Sequence, residues 1–362
     1  MKITHIHIER FRGFQNEDFE VGSLLTAIAG QNGTQKSTLL GIITQTFTLK
    51  TEDSMRVEKP LCGGSYISAF KDKFRLSPTF DKPKGHEWTI SFDAGMDDFT
   101  VESIKRTGDP NVRFWKKGAR QEGDGYISFP TIFLSLKRLV PVAEEAKIIT
   151  DDTLLTQEEL NEFKQLHNKI LIAQTPISSA TTITSKNKQS IGVSTELYDW
   201  NQNSMGQDNL GKIILALFSF KRLHDKYPRQ YKGGILAIDE MDATMYSASQ
   251  VELLKVLRKY ASKLNLQILF TTHSMSLLKA MDDLVQEVTK KEETANQAKI
   301  LYLKKVDDKI AIKQGVNFKG IQLDLNVVAE GNNRKKNRIT AYTEDKENIL
   351  FVKAILKSKA FV

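Results

Sequence analysis

Cysteine is almost absent from the 362 residues: Cys62 stands alone. No disulfide can close within the chain, and a reducing compartment, the cytoplasm, is the expectation. No run of about 18 apolar residues occurs, so no membrane-spanning helix is expected. The opening Met1-Lys2-Ile3-Thr4-His5-Ile6 alternates like a strand and lacks the apolar core of a signal peptide. No tandem repeat is present. What remains is an ordinary composition, 40% hydrophobic and 27% charged, long enough for two or three compact lobes. The net charge of +8 suits a nucleic-acid partner. It suits a soluble basic protein equally, because the lysines are scattered.

Against these absences one segment stands out: Ala29-Gly30-Gln31-Asn32-Gly33-Thr34-Gln35-Lys36-Ser37-Thr38, between two apolar stretches. It is nearly a phosphate-binding P-loop, G-x-x-x-x-G-K-[ST] between a strand and a helix. Gly30, Lys36 and Ser37 fit; Gln35 stands where the last glycine belongs. In such a loop, backbone N–H groups wrap the phosphates in front of a helix N-terminus. Lys36 would add a point charge on the phosphates, and Ser37 would hold Mg²⁺. The Gln35 side chain must then point away from the nucleotide, and its backbone must accept a geometry that glycine normally supplies.

Three further segments carry chemistry. Gly234-Ile-Leu-Ala-Ile-Asp239-Glu240 is a buried strand ending in two carboxylates. With a P-loop upstream, Asp239 would join the Mg²⁺ shell and Glu240 would polarise an attacking water. Leu266-Gln-Ile-Leu-Phe-Thr-Thr-His273-Ser274 is a second buried strand, and His273 at its end can donate to a γ-phosphate. Asn203-Ser204-Met205-Gly206-Gln207 opens a helical pattern. Its hydroxyl and glycine make either an anion site at a helix start or a simple N-cap.

The coarse pattern along the chain gives strands at 2–9 and 24–29 and a helix at 37–47. Residues 50–130 hold short strand patterns among Gly, Asp and Lys turns, and Thr131-Ile-Phe-Leu-Ser-Leu is another buried strand. A helix is expected over 151–173, with a capping box of Thr156 and Glu159. Residues 175–192, rich in Ser, Thr and Lys, read as a loop or linker. Helices follow at 208–227, 247–263 and 274–281, then a hairpin turning near Asp307-Asp308. Residues 331–338 form a basic linker, followed by a strand at 339–343 and a helix at 346–357.

Taken in order, the motifs resemble the nucleotide-binding heads of ABC-type ATPases. Walker A covers Gly30, Asn32, Gly33, Thr34, Gln35, Lys36, Ser37 and Thr38. A signature-like Ser204-Met205-Gly206-Gln207 follows, then Walker B at 235–240, a D-loop from Asp242 and a switch histidine, His273. The residues after Walker B, Met241-Asp-Ala-Thr-Met-Tyr-Ser-Ala-Ser-Gln250, are similar to the RecF, Rad50 and OLD branch. So is Ile8-Glu-Arg10-Phe11-Arg12-Gly13-Phe14, where the resemblance implies that Arg12 contacts the nucleotide. Long heptad arms are absent between Phe47 and Asn203. The tail, Ala341-Tyr-Thr-Glu344-Asp345-Lys346-Glu347, resembles the first strand and helix of a TOPRIM domain. That implies a metal role for Glu344. The alternative is a charged C-terminal helix that docks on the head or a partner.

The resemblance implies an α/β fold: an ABC-type P-loop ATPase head over 1–330, with a mixed central sheet, a β-rich part at 51–130 and a helical or loop insertion at 142–202. It implies ATP and Mg²⁺ as cofactors, with Lys36, Glu240 and His273 as catalytic residues. It also implies a homodimer or higher homo-oligomer formed through the ATP site. An ATPase head before TOPRIM is the architecture of OLD-family nucleases of bacterial anti-phage and retron systems. The expected partners are accordingly nucleic acid and a defence component, a nuclease or a reverse transcriptase–nucleic-acid complex, with no membrane. Two alternatives stay open: a RecF-like DNA-repair ATPase, and a slowly hydrolysing ATP-bound clamp or sensor, which Gln35 would favour.

Overall fold

The computed structural model describes residues 1–330, apart from 68–72, 94, 106–111, 119–123, 140–146, 152–153 and 186–188. The chain divides into a unit Met1–Ile321 and a second unit Gln322–Val362. Of the second unit, only the distal part of the helix Phe318–Glu330 falls among the described residues. The expected linker at 331–338 and the TOPRIM-like strand and helix, Glu344 included, lie outside them.

The apolar runs of the sequence become the middle of a six-stranded sheet. These are β3 (Leu25–Gly30), β9 (Thr131–Leu134), β13 (Gly234–Ile238) and β14 (Leu266–Thr272), joined by β15 (Ala298–Val306) and β16 (Lys309–Gln314). Their order is β16-β15-β3-β14-β13-β9. The first five strands in chain order pair in parallel and only β16 runs antiparallel, as the second arm of a hairpin with β15. Every residue of β3, β13 and β14 is buried, as near-continuous apolar strands covered on both faces should be. Parallel strands bring their C-terminal ends to one edge, where an open α/β sheet takes its ligands. Gly30, Ile238, Thr272 and Leu134 all end there.

A second, antiparallel sheet has the order β2-β1-β5-β6-β7. It comprises β1 (Ile3–Phe11), β2 (Phe14–Glu20), β5 (Glu87–Phe92), β6 (Phe99–Lys105) and β7 (Val112–Lys116). Strands β5 and β6 alternate buried and half-buried residues, the signature of a sheet with one face on the core. Phe11, Phe74, Trp88 and Phe114 interlock on that face, with Phe11 and Phe114 ring centroids 5.5 Å apart. Hydrogen bonds carry this sheet onto the central one, among them the Ile310 N–H to the Gly13 carbonyl (2.8 Å), the Ile312 N–H to Glu17 Oε2 (2.7 Å) and the Ile3 N–H to Gln267 Oε1 (2.7 Å). A short parallel pair, β4 (Phe47–Thr48) with β8 (Ile127–Ser128), closes the lobe.

The helices among the described residues, the last apart, pack on strands or on each other. They are α1 (Lys36–Thr44), α2 (Gln157–Leu171), α3 (Met205–Lys226), α4 (Ser247–Lys263), α5 (Met275–Val288) and α6 (Phe318–Glu330). The expected capping box is present at α2: the Glu159 N–H donates to Thr156 Oγ1 and the Thr156 N–H to Glu159 Oε2. Glu159 also pairs with Arg222 of α3 at 2.6 Å, so one carboxylate caps one helix and docks another. α2 packs on α3 and α4.

One segment differs from expectation. Residues 175–192 are not a linker: β11 (Ser179–Thr184) pairs antiparallel with both β10 (Ile149–Asp151) and β12 (Gln189–Ser194). The insertion at 142–202 therefore holds a three-stranded sheet besides its helix. The Ser and Thr side chains that read as loop lie on strands because α3 covers β12, burying five of its six residues. Tertiary cover overrides local propensity here. Helix bounds also shift: α1 ends at Thr44, with Phe47 on β4; α2 begins at Gln157, since 149–151 is strand; α3 begins at Met205; and α5 runs on to Val288.

Candidate functional site at the strand ends

Four strand ends build the site. β3 ends at Gly30 and the chain turns through residues 31–35 into α1. Gln35 lies at φ 62°, ψ 32°, the left-handed region, and immediately precedes the first residue of α1. Its side chain points to the β1–β2 turn: a Cβ added to Gly13 would lie 2.9 Å from Gln35 Nε2. Gln35 Oε1 is buried with no hydrogen-bond partner. Gly33, also at positive φ, has open space around a would-be Cβ, while the buried Thr34 turns its hydroxyl inward to the Gln31 carbonyl at 2.8 Å. Lys36 is buried, and its ammonium donates to the carbonyls of Gly30 (3.3 Å) and Gln31 (3.2 Å). Burial pulls its pKa down, against the opposing charges of Glu240, Asp239 and Asp242.

The acids follow β13. The Asp239 N–H donates to the Leu134 carbonyl at 3.0 Å, extending the β9 ladder by one residue. Asp239 Oδ1 accepts from Ser37 Oγ and from Thr271 Oγ1, both at 2.8 Å. Thr271 Oγ1 in turn accepts from the Glu240 N–H at 2.6 Å. Glu240 has φ 50°. His273 Nε2 lies 3.3 Å from Glu240 Oε1, with both side chains partly exposed. Burial pushes the Glu240 carboxyl up, but the His273 hydrogen bond and the charges of His273, Lys36 and Arg138 outweigh it and leave it below the ordinary glutamate range. Lys36, Ser37, Asp239, Glu240 and His273 thus meet at one edge, and β14 supplies the hydroxyl that orders the acids.

Arg12 reaches the same edge from the β1–β2 turn. It forms a two-pronged pair with the buried Asp81 (3.0 Å to each oxygen), donates to the Arg75 carbonyl (2.7 Å), and sits 3.4 Å from Thr38 Oγ1. Asp81 also accepts from His86 Nε2 and the Ser77 N–H; burial alone would raise its carboxyl, yet these partners hold it down to about 2.

Ser204 and Gln207 are engaged elsewhere. Ser204 is the N-cap of α3 in a reciprocal capping box with Gln207, whose amide nitrogen donates to the Tyr198 hydroxyl at 2.7 Å. Neither side chain is hydrogen-bonded to the phosphate loop of this chain. Gly206 is needed for close approach: a Cβ there would lie 2.5 Å from the Thr244 carbonyl oxygen.

Three residues of the site escape the motifs. Thr271 orders both acids, Asp81 holds Arg12, and Arg138 is buried beside Glu240. Arg138 has one signal in sequence, the basic pair Lys137-Arg138 a short step past the apolar strand Thr131–Leu134. Thr271 and Asp81 have none, because their partners lie 32 and 69 positions away.

The edge fits a nucleotide with magnesium. The cradle at Gly33 is open, the enclosed Lys36 ammonium has only carbonyl acceptors, and Ser37 and Asp239 offer adjacent hard oxygens. No three His, Cys, Asp or Glu groups among the described residues converge on one metal position. Magnesium at a phosphate site draws one or two oxygens from the protein, the kind Ser37 and Asp239 offer.

These features define a P-loop α/β domain. The family model for the AAA ATPase domain (AAA_15) matches residues 1–190 and 141–278; the chain belongs to this family. No curated protein matches the sequence. Among solved structures, the SMC head domain from Thermotoga maritima is 14% identical, with TM-score 0.48, over 87% of this chain and all of that one. An SMC head bound to the C-terminal winged-helix domain of ScpA is also 14% identical, with TM-score 0.49, over 89% of this chain and 100% of that one. An SMC head with an extended coiled coil, bound to the C-terminal domain of ScpA derived from Pyrococcus furiosus, is 12% identical, with TM-score 0.47, over 91% and 99%. No described helix is long and apolar enough to cross a membrane.

Proposed function

We propose that this ATPase domain is an ABC-type head that binds and hydrolyses ATP, and that it pairs with a second copy around the nucleotide to gate a nucleic-acid-directed effector. The observation that carries the reading is the bonded chain Ser37–Asp239–Thr271–Glu240, with His273 3.3 Å from Glu240. It links the phosphate-loop hydroxyl, the paired acids and the histidine.

In this reading Lys36 releases its carbonyl acceptors for the β- and γ-phosphates, and the N–H groups of 33–38 wrap them. Ser37 and Asp239 would hold magnesium, which would supply charge neutralisation at the phosphates. Glu240, kept ionised at neutral pH, orients the attacking water and accepts its proton. His273 donates toward the γ-phosphate, and Arg12 approaches from the Thr38 side. Ser204 and Gly206 present a helix start to the nucleotide of the partner copy. The finer assignment to the OLD branch and a defence effector rests on the resemblance of residues 341–356 and on the net charge of +8.

Two variants test it. Lys36→Ala should abolish ATP binding or turnover. Glu240→Gln should keep binding and slow hydrolysis by roughly 10²–10⁴, measured at steady state beside equilibrium binding. Unchanged hydrolysis in Lys36→Ala would sink the site, and equal loss of affinity and turnover in Glu240→Gln would make that residue a binding group.

A further inference from the structure

Arg138 is only 2% exposed, yet all its hydrogen bonds go to neutral oxygens. Nε donates to Asn209 Oδ1 (2.7 Å), Nη1 to the carbonyls of Leu134 (3.2 Å) and Ser135 (3.1 Å), and Nη2 to the Glu240 carbonyl (2.8 Å). Asn209 is fully buried as well, and its amide nitrogen donates to the Ala243 carbonyl at 2.9 Å. One rigid fork therefore joins the end of β9, the second turn of α3 and the turn that carries Glu240. Burial lowers the Arg138 pKa to about 10, against the charges of Asp239, Glu240 and Asp242, so it stays cationic at neutral pH.

Enclosing a cation is costly unless its donors are satisfied, and an apolar side chain would fill the same space without that cost. What Arg138 adds is a grip on Glu240. Glu240 is left-handed, a state unfavourable for a residue with a Cβ. It is held from both sides: its N–H by Thr271, its carbonyl by Arg138. The first turn of α3 has no slack against the same loop, because Gly206 lies against the Thr244 carbonyl.

We propose that Arg138 is a positioning residue for Glu240, and that with Asn209 it couples the N-terminal turn of α3 to the Glu240 turn, so that an anion reaching that helix start resets the aim of Glu240. This rests on the ATPase reading above, with α3 as the element that meets a partner's nucleotide. The coupling runs through a contiguous set of hydrogen bonds from Asn209 to Glu240 and Ala243.

The test uses the full chain with Arg138→Lys, Asn209→Ala and the double variant. Lysine keeps the charge and loses the fork. ATP affinity should stay within about threefold while kcat falls on the order of 10²-fold, as for a misaimed catalytic group. The double variant should fall no further than the singles, because the two residues act as one unit. Without nucleotide, amide exchange should quicken together at 240–245 and 205–209. Where Arg138→Lys does not fold, Asn209→Asp carries the same test: it keeps the acceptor for Arg138 and loses the donor to Ala243. Full turnover in Arg138→Lys, affinity lost in step with kcat, additive losses in the double variant, or faster exchange only around 138 would each overturn the proposal. Wild-type protein that hydrolyses no ATP would instead refute the ATPase reading, and the exchange measurement would still decide the coupling.

Discussion

At the scale of single residues, Gln35 is the departure from motif that the geometry explains. The left-handed backbone costs a residue with a Cβ roughly 1–2 kcal/mol, and the side chain is directed to Gly13, away from the cradle. Gln35→Gly should therefore leave ATP affinity and turnover within about threefold. It should not lower the melting temperature, since relief of about 1 kcal/mol of backbone strain offsets the lost contact. A large gain in turnover would mean that Gln35 restrains hydrolysis. His167 makes the opposite kind of prediction. It is 2% exposed, and burial pushes its pKa down to about 4, the neighbouring Asn168 side chain offsetting only part. The unfolded chain then binds more protons between pH 4 and 6.5. The contribution is intact above pH 6.5 and is lost as pH falls toward 4, by about 3 kcal/mol. His167→Leu should remove that part of the slope in urea unfolding measured from pH 7 to pH 4.5; an unchanged slope would place the proton elsewhere.

At the scale of elements, the legible parts were those whose burial is continuous. β3, β13 and β14 are apolar along their whole length, so the central sheet could be read without knowing its order. Capping chemistry was legible too, because Thr156 and Glu159 lie three positions apart and act locally. Thr156→Ala should cost about 1 kcal/mol. Glu159→Ala should cost about 2 kcal/mol, since it removes the returning acceptor and unpairs Arg222 as well. Chemical denaturation of both variants separates the two roles; equal losses would show that the Arg222 pair contributes nothing. The strands β11 and β12 were not legible. Rich in Ser and Thr, they become a sheet only because α3 covers β12 and Trp200 closes over Gly192, where a Cβ would lie 2.6 Å from the Trp200 Cβ. The site divides in the same way: Lys36, Ser37, Asp239, Glu240 and His273 announce themselves next to strand ends, whereas Thr271, Asp81 and Arg138 matter through partners distant in sequence.

At the scale of the whole molecule, the α3 start is capped locally: the Ser204 and Gln207 side chains close a capping box, and Gln207 also bonds the Tyr198 hydroxyl. Beside it, Met205 and Tyr246 stand 45% and 54% exposed, large side chains that a covering partner would bury. A two-fold pair would place each α3 start over the nucleotide of the other copy, in a closed, self-complementary interface. The sharing is testable by complementation. Ser204→Arg should block the shared contact while leaving the chain's own Lys36 intact. Lys36→Ala should empty its own cradle while leaving its Ser204 free to serve a partner. Each variant alone should be inactive. Mixed one to one, random pairing makes half the dimers heterodimers, each with one complete site, so activity should recover to about a quarter of wild type. The pairing itself should depend on ATP and be longest-lived in Glu240→Gln, as light scattering with and without nucleotide would report. Confirmed heterodimers with no recovered hydrolysis would show that each chain completes its own site, and the bonds that engage Ser204 and Gln207 would then be their whole role, the cap of α3.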